Sequence, residues 1–350
     1  MISPIRLTAV ALVLTLLWGV PLSSGDVTKA SSAPKCEVWV SSLTNGTLSI
    51  FDTWSSTIST LSVSSSSIQG LAFNRSGTKV FATTFGSGVK MIDISTRSKI
   101  DLQVNNRTTG DYGAVAASPV SDRMIVGTQN FPVPNPNEFY VLNSESGASV
   151  STINGTNRAS RIVMTPDGVA YAPLFVHMAN PADGDIQKIN ASQGNIVSTT
   201  QFNLPANESF SGATVATRSD NTSILYVASS DGIVKAINPS TMTLITNITV
   251  NTFPSGLASA NDGNRVFVSS AAANSIQVID TQTQQVANTL TFGSGIGQLA
   301  VSPDGAYLFA TSFTGNSLYR INLSNFQVDT FSNFNMAAHV TVGPPGCTTT

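Results

Sequence analysis

Short segments in which hydrophobic and polar residues alternate recur along the chain with a period of roughly 41 to 52 residues. The clearest repeat contains four such segments, at 298–305, 307–312, 317–322 and 327–331. Gly, Asn, Pro and Asp bound the segments, and these residues favour turns. Four short strands separated by turns are typical of one blade of a β-propeller rather than of a unit that contains a helix.

Six complete repeats are marked by the turn that follows the first strand. In such a turn Gly adopts the positive φ that a Cβ would penalise, and Pro presets φ at one corner. The turns lie at Gly77, Asp122, Gly168, Asp220, Gly263 and Gly305. Regular second and third strands follow each turn, so the sequence predicts six full blades.

A seventh blade is divided between the two ends of the chain. Residues 36–42, 48–52 and 58–63 match the second, third and fourth strands of a repeat, but no first strand precedes them. Residues 339–346 match a first strand and its turn. The sequence therefore predicts an all-β fold, a seven-bladed β-propeller of four-stranded antiparallel blades, in which the C-terminal strand joins the N-terminal blade and closes the ring.

The chain contains two cysteines, Cys36 and Cys347, which flank the predicted turn of the shared blade. They become neighbours only if the ring closes. We expect a disulfide between them, which would suit an oxidising compartment and constrain a very long loop. Two unrelated buried thiols are the alternative.

The first 25 residues have the features of a secretory signal peptide. Arg6 precedes the apolar run Leu7–Val20, and small residues follow at 23–25. An uncleaved anchor is the alternative, although the run is short for a membrane span. We expect a signal peptide at 1–25, a linker at 26–35, one propeller domain at 36–347 and a tail at 348–350. The predicted mature protein is a secreted monomer without membrane contact.

The composition excludes some partners and predicts a glycosylated surface. Only 10% of the residues are charged and the formal net charge is -2, with neither a basic stripe nor an acidic tail. Nucleic acid is therefore not a predicted partner, and neither is an anionic membrane. Behind a signal peptide in a host that glycosylates, we expect N-glycans on several Asn-x-Ser/Thr sequons. These lie at Asn45, Asn74, Asn106, Asn154, Asn190, Asn207, Asn221, Asn247 and Asn322.

Two repeats carry a recognisable motif, PDGAYLFATS at 303–312 and NDGNRVFVSS at 261–270, each followed by an Asn-Ser pair. They resemble the YVTN-type propeller repeat, and the likeness covers residues 36–347. The resemblance implies a propeller similar to those of surface-layer and secreted proteins and of lactonases related to carboxymuconate cyclase. It implies no particular activity, because the matching residues form turns and core.

One position at the start of the first strands breaks the repeat. Three blades place a polar residue there, Arg161, Gln298 or His339, and we expect these side chains at the mouth of the axial channel. His339 could act as an acid or base near neutral pH, and Arg161 could hold a carboxylate or an enolate oxygen. The alternative is that the three plug the channel or bind its water. The other four blades have Gly70, Ala114, Gly212 and Gly256.

Two long loops, 129–137 and 174–185, are predicted on the face where the first strands begin, which we call the loop face. The opposite face carries the first-to-second strand turns, and we call it the turn face. Long loops often carry function, although drift in length is the alternative. The predicted ligand-binding set adds Tyr112, His177, Phe131 and Phe210, with Glu208 and Asp111 as candidate partners of Arg161. No His-x-His or Glu-x-x-His spacing exists, so neither a metal site nor a cofactor is predicted.

Two functions remain open at this stage. The first is a secreted protein that binds a small ligand, a glycan or a protein on the axial part of the loop face. The second is a metal-free enzyme at the same place, which opens or forms a lactone, or which guides a cyclisation or cycloaddition in a natural-product pathway. An apolar cup with His339 and Arg161 inside would favour the enzyme, and a flat or plugged mouth would favour the binding protein.

Overall fold

The computed structural model describes residues 33–129, 138–155, 158–174, 184–205, 208–312 and 314–350. The predicted signal peptide, most of the predicted linker and most of both long loops lie outside these residues. All regular secondary structure in the described part is β, arranged as seven four-stranded antiparallel sheets. The predicted all-β seven-bladed propeller is confirmed. In the same part of the chain, no helix is long and apolar enough to cross a membrane.

Each sheet is one blade, and its strands follow one another from the axis outwards. Blade 1 consists of β28 (Ala337–Gly343), β1 (Glu37–Ser42), β2 (Thr47–Asp52) and β3 (Ile58–Ser62). Blade 2 consists of β4 (Ile68–Phe73), β5 (Lys79–Thr84), β6 (Val89–Asp93) and β7 (Lys99–Asp101). Blade 3 consists of β8 (Tyr112–Ala117), β9 (Arg123–Thr128), β10 (Glu138–Asn143) and β11 (Ser149–Asn154).

Blades 4 and 5 consist of β12 (Val163–Met164), β13 (Val169–Pro173), β14 (Asp185–Asn190) and β15 (Asn195–Gln201); and β16 (Phe210–Thr217), β17 (Ser223–Ser229), β18 (Ile233–Asn238) and β19 (Thr243–Thr249). Blades 6 and 7 consist of β20 (Pro254–Ser259), β21 (Arg265–Ser270), β22 (Ser275–Asp280) and β23 (Gln285–Thr291); and β24 (Leu299–Val301), β25 (Tyr307–Ser312), β26 (Ser317–Asn322) and β27 (Val328–Phe331).

The two ends of the chain meet in blade 1. β28 pairs antiparallel with β1, with Val340 opposite Val40 and Gly343 opposite Glu37. Cys36 and Cys347 form a disulfide with a Cα–Cα distance of 5.0 Å across a sequence separation of 311. Both the predicted closure by the C-terminal strand and the predicted disulfide are confirmed.

The residues predicted as a tail take part in this junction. The backbone nitrogen of Cys36 donates to the carbonyl of Thr348 at 2.9 Å, and Lys35 forms a parallel bridge with Thr348. Thr349 is buried, and both its backbone nitrogen and its hydroxyl donate to Asp304 Oδ2 at 2.6 Å. The domain therefore extends past residue 347, because Asp304 of blade 7 holds the last residues against the turn face.

The hydrophobic core lies between neighbouring blades. Six of the seven second strands carry one aromatic side chain at an equivalent position, at most 2 % exposed, whereas the outer strands alternate between buried and exposed residues. Removal of these large apolar surfaces from water is the main force that holds one sheet against the next. The aromatic residues are Trp39, Phe81, Tyr171, Tyr226, Phe267 and Phe309.

Hydroxyl groups two residues after this aromatic position link some blades near the axis. Thr83 donates to the carbonyl of Gly113, Ser269 to that of Gly297, and Thr311 to that of Ala338 at 2.8 Å. In each case the acceptor belongs to the inner segment of the next blade. Blades 3, 4 and 5 have Gly127, Pro173 and Ala228 at the equivalent position and lack this bond.

Ring closure can be tested by separating the covalent link from the strand. Replacement of both cysteines (Cys36→Ser with Cys347→Ser) leaves β28 in place and should lower the free energy of unfolding by about 2–5 kcal/mol without loss of the fold. Deletion of residues 338–350 removes β28 itself and exposes the edge of β1, so this variant should aggregate. Circular dichroism and size-exclusion chromatography measure both effects. A monomeric, folded deletion variant would contradict closure by β28.

Candidate functional site

A cavity of about 360 Å³ lies on the axis of the ring. Inner segments of all seven blades contribute to its wall, and most of the contributed side chains are aliphatic. The aliphatic contributors include Leu71, Val115, Val163, Ala213, Leu257, Leu299 and Val340. The cavity is therefore the axial channel of the propeller, and its accessible surface is mainly polar although most of the lining side chains are aliphatic.

Arg161, Gln298 and His339 line this same channel. They come from blades 4, 7 and 1, which are brought together only by the closed ring. Their shared position was predicted from the break in the repeat, and the structure places all three on one cavity. Thr214, Ser259 and Asn261 also line it, and the sequence analysis did not select them.

Arg161 lies just before β12, which has only two residues. The backbone here is held by Ser160, whose nitrogen donates to the carbonyl of Pro173 at 2.9 Å and whose hydroxyl donates to the same carbonyl at 3.0 Å. The Arg161 guanidinium itself has no hydrogen bond and no ion pair with any residue that the structure describes. A short, irregular inner strand thus carries the one permanent charge on the channel wall.

The two carboxylates suggested as partners of Arg161 lie elsewhere. Glu208 accepts a hydrogen bond from the Ser230 hydroxyl, and neither Glu208 nor Asp111 lines the channel. No Asp or Glu is present among the described residues of the channel wall. Burial without a counter-ion lowers the pKa of Arg161 to about 10, so the side chain remains a cation at neutral pH.

His339 is held in the channel by its backbone. Its nitrogen donates to the Ser41 hydroxyl at 3.0 Å, within blade 1. Nδ1 of the ring is buried and has no hydrogen-bond partner in the described structure, so Nε2 is the ring nitrogen accessible from the channel. Burial, and secondly the positive charge of Arg161, lower the pKa of His339 to about 3. The imidazole is therefore neutral at neutral pH.

Both side chains keep some accessible surface, yet both behave electrostatically as buried groups. The two facts agree because the accessible surface faces the narrow channel and not bulk solvent. Water in such a channel screens charge poorly, and Arg161 and His339 therefore influence each other across the axis.

Gln298 is the third polar group and is the most firmly held. Its backbone nitrogen donates to Thr311 Oγ1 at 2.9 Å, and its side-chain Nε2 donates to the carbonyl of Ser255 at 2.8 Å. The amide thus connects blade 7 to blade 6 while the side chain lines the channel.

Several residues of the predicted ligand-binding set do not line the channel. Tyr112 is buried between blades, with its ring centroid 6.0 Å from that of Tyr140, and Phe210 is fully buried in the core between blades 4 and 5. Successive side chains of a strand point to opposite sides, and these two face the neighbouring sheet. His177 and Phe131 lie outside the described residues, as do most of the two long loops.

The predicted sequons differ in accessibility. Asn74 is fully buried, and its Nδ2 donates to Ser76 Oγ at 2.8 Å and to Glu145 Oε1 at 3.0 Å. A glycan on this nitrogen would remove those bonds and would not fit the fold. Asn190 and Asn322 are half-buried, and Asn207 lies outside the described residues. The exposed sequons are Asn45, Asn106, Asn154, Asn221 and Asn247.

In the described residues, no group of three or more His, Cys, Asp or Glu side chains is arranged to hold a metal ion. Residues 215–342, from the inner strand of blade 5 to β28, match a family described as a domain of unknown function (DUF5074). The match covers less than half of the chain. None of the curated proteins matches the chain.

The neutral state of His339 predicts that the stability of the fold depends on pH. Because its pKa in the folded state lies below the unfolded value, the unfolded chain binds more protons between pH 6.5 and about 3. Stability contributed by the neutral imidazole should be present above pH 6.5 and should fall as the pH drops through that window. NMR of the ring nitrogens should show no titration of His339 between pH 5 and 8.

The variant Arg161→Met isolates the contribution of the neighbouring charge. It should raise the pKa of His339 towards its ordinary value, because one of the two causes of the low pKa is removed. The only other histidine, His177, serves as the internal reference for assignment. An imidazole that titrates near pH 6.5 in the unaltered protein would contradict the described channel environment.

Proposed function

We propose that the axial channel binds a small organic anion and that the protein works as a ligand-binding propeller. One observation carries the proposal: a guanidinium without a partner lies in an axial channel whose described wall contains no carboxylate. A buried cation without a counter-ion is costly, and a bound anion would remove that cost. Guanidinium also matches the planar, two-oxygen geometry of a carboxylate.

The shape of the channel supports a small ligand over a macromolecule. Its volume of about 360 Å³ lies near the lower end of the range of about 300–1,000 Å³ that is typical of small-molecule sites. Aliphatic walls with a few convergent polar groups are also typical of such sites.

A second candidate is a metal-free enzyme at the same channel, and His339 is the observation that favours it. A neutral imidazole beside a cation could accept a hydrogen bond from a substrate, while Arg161 stabilises the enolate or carboxylate oxygen that forms. Lactone opening or closure and the guided cyclisation of a reactive intermediate both fit these two roles. With a pKa of about 3 the imidazole is a weak base, so the expected acid or base action of His339 near neutral pH is not supported by its surroundings. Turnover of a lactone or polyene substrate that His339→Ala abolishes, with binding retained, would identify the enzyme.

We further propose that the protein is secreted and N-glycosylated. The Cys36–Cys347 disulfide supports an oxidising compartment, and five sequons are exposed on the described surface. The apolar segment at 7–20 supports export through a signal peptide.

The anion-binding proposal predicts the effect of two substitutions. Arg161→Ala and His339→Ala should each weaken binding of a carboxylate ligand at least about tenfold, or about 1.4 kcal/mol. The melting temperature should not fall in Arg161→Ala, because the side chain has no protein partner to lose. Isothermal titration calorimetry and differential scanning calorimetry measure the two quantities.

Arg75 offers a matched control, because it is an exposed arginine on the turn face. Arg75→Ala removes the same charge and should leave binding unchanged. If Arg161→Ala binds as the unaltered protein does but melts earlier, then Arg161 is a structural plug and the proposal is wrong.

The glycosylation proposal predicts which sequons are used. In protein secreted from a eukaryotic host, glycopeptide mass spectrometry should find sugar on several of the five exposed asparagines and none on Asn74. Burial of the Asn74 amide is the reason. Sugar at Asn74, or an unchanged mass after enzymatic removal of N-glycans, would contradict the prediction.

A further inference from the structure

The side-chain amide of Gln298 has a fixed orientation. Its Nε2 donates to the carbonyl of Ser255 at 2.8 Å, and a carbonyl can accept only from the nitrogen of the amide. The backbone of Gln298 is held at the same time by Thr311: its nitrogen donates to Thr311 Oγ1, and its carbonyl accepts from the backbone nitrogen of Thr311 at 3.0 Å, so the residue is restrained at both ends. Rotation of the amide would break the bond to blade 6.

This orientation leaves Oε1 as an acceptor without a partner. No hydrogen bond from a described residue reaches it, and it is not among the fully buried side-chain atoms. Because Gln298 lines the channel, Oε1 is open to whatever the channel contains. An acceptor on the channel wall is costly to leave unpaired once water has been displaced. A ligand that displaces the water should therefore carry a donor at this point.

Arg161 places the opposite requirement on the ligand. Its guanidinium has only donors. A donor group thus comes from blade 4, and a fixed acceptor comes from blade 7. The channel also holds one positive charge and no second Lys or Arg among its described residues, which matches a monoanion better than a phosphate dianion.

We propose that the ligand class is the hydroxy-substituted monocarboxylates, in which the carboxylate pairs with Arg161 and a hydroxyl group donates to Gln298 Oε1. This inference rests on the proposed function and adds to it a specificity-determining residue. The aliphatic walls would contact the hydrocarbon part of such an acid. A simple carboxylic acid would satisfy Arg161 but would leave the Gln298 oxygen desolvated and unpaired.

The test compares acids that differ only by the hydroxyl group. Benzoate, phenylacetate and cyclohexanecarboxylate are each titrated calorimetrically into the unaltered protein beside their ring-hydroxylated derivatives. At least one hydroxy acid should bind at least about tenfold more tightly than its parent acid. This comparison needs no variant and does not depend on how a substitution affects folding.

A variant then assigns the preference to Gln298. Gln298→Met keeps the length of the side chain without the acceptor, and it should reduce the preference to less than about twofold. The parent acid should bind at least as tightly as before, because no acceptor is then left unpaired. Gln103→Met, at an exposed position on the rim of blade 2, is the matched control and should keep the full preference.

The outcomes separate the two proposals. If parent and hydroxy acids bind equally and Arg161→Ala weakens both, the role of Gln298 is wrong and the anion site stands. If the preference persists in Gln298→Met, another residue recognises the hydroxyl and the assignment is also wrong. If no acid binds, or if binding ignores Arg161→Ala, both proposals are overturned.

Discussion

The pairing of β28 with β1 is the constraint on which the rest of the structure depends. Without it, blade 1 would lack its inner strand and β1 would present an open edge to the axis. The two strands are separated by nearly the whole chain, so their pairing has a large entropic cost of loop closure. The disulfide and the bonds from Thr349 to Asp304 hold the same junction from the turn face. The channel is a product of this closure, because His339 reaches the axis only as part of β28.

Around the closed ring, the blades are not joined equally near the axis. Hydroxyl groups of Thr83, Ser269 and Thr311 tie three blades to the inner segment of the next one. Blades 3 to 5 lack that hydroxyl, and in blade 4 the inner strand shrinks to two residues. Arg161 lies in this weakly paired part, where a long side chain can project from irregular backbone. Arg161 departs from the repeat at the point where it places a charge in the channel. Such a local departure from an otherwise consistent pattern is expected of a functional position.

The sequence predicted the blades well because the same residues define both pattern and structure. The second strand Tyr307–Ser312 and the third strand Ser317–Asn322, for example, have the predicted bounds. Alternation along a strand, however, does not say which neighbouring sheet receives a side chain, and so Tyr112 and Phe210 were assigned to the ligand site although they pack in the core. The sequence also could not show that Arg161 lacks a carboxylate partner, since Asp111 and Glu208 are close along the chain to blades that flank it. The burial of Asn74 depends on Glu145 of the next blade, a contact without a local signature.

The partners of the other partly buried Lys and Arg side chains bear on whether Arg161 belongs to a ligand site or only fills the channel. Several described cations that are partly buried have an acceptor: Arg97 pairs with Glu37, Arg265 donates to the Leu323 carbonyl at 2.8 Å, and Lys188 donates to the Pro239 carbonyl at 3.1 Å. Each of these three cations also lies over an aromatic ring. Arg161 has neither an acceptor nor a ring in the described structure. Lys235 is buried and has no acceptor among the described residues, so Arg161 is not alone in this respect. A residue that only filled the channel would gain stability from such a partner, and an aliphatic side chain would fill the space without the cost of a buried charge. A bound anion, as proposed for this channel, would offset the cost of Arg161.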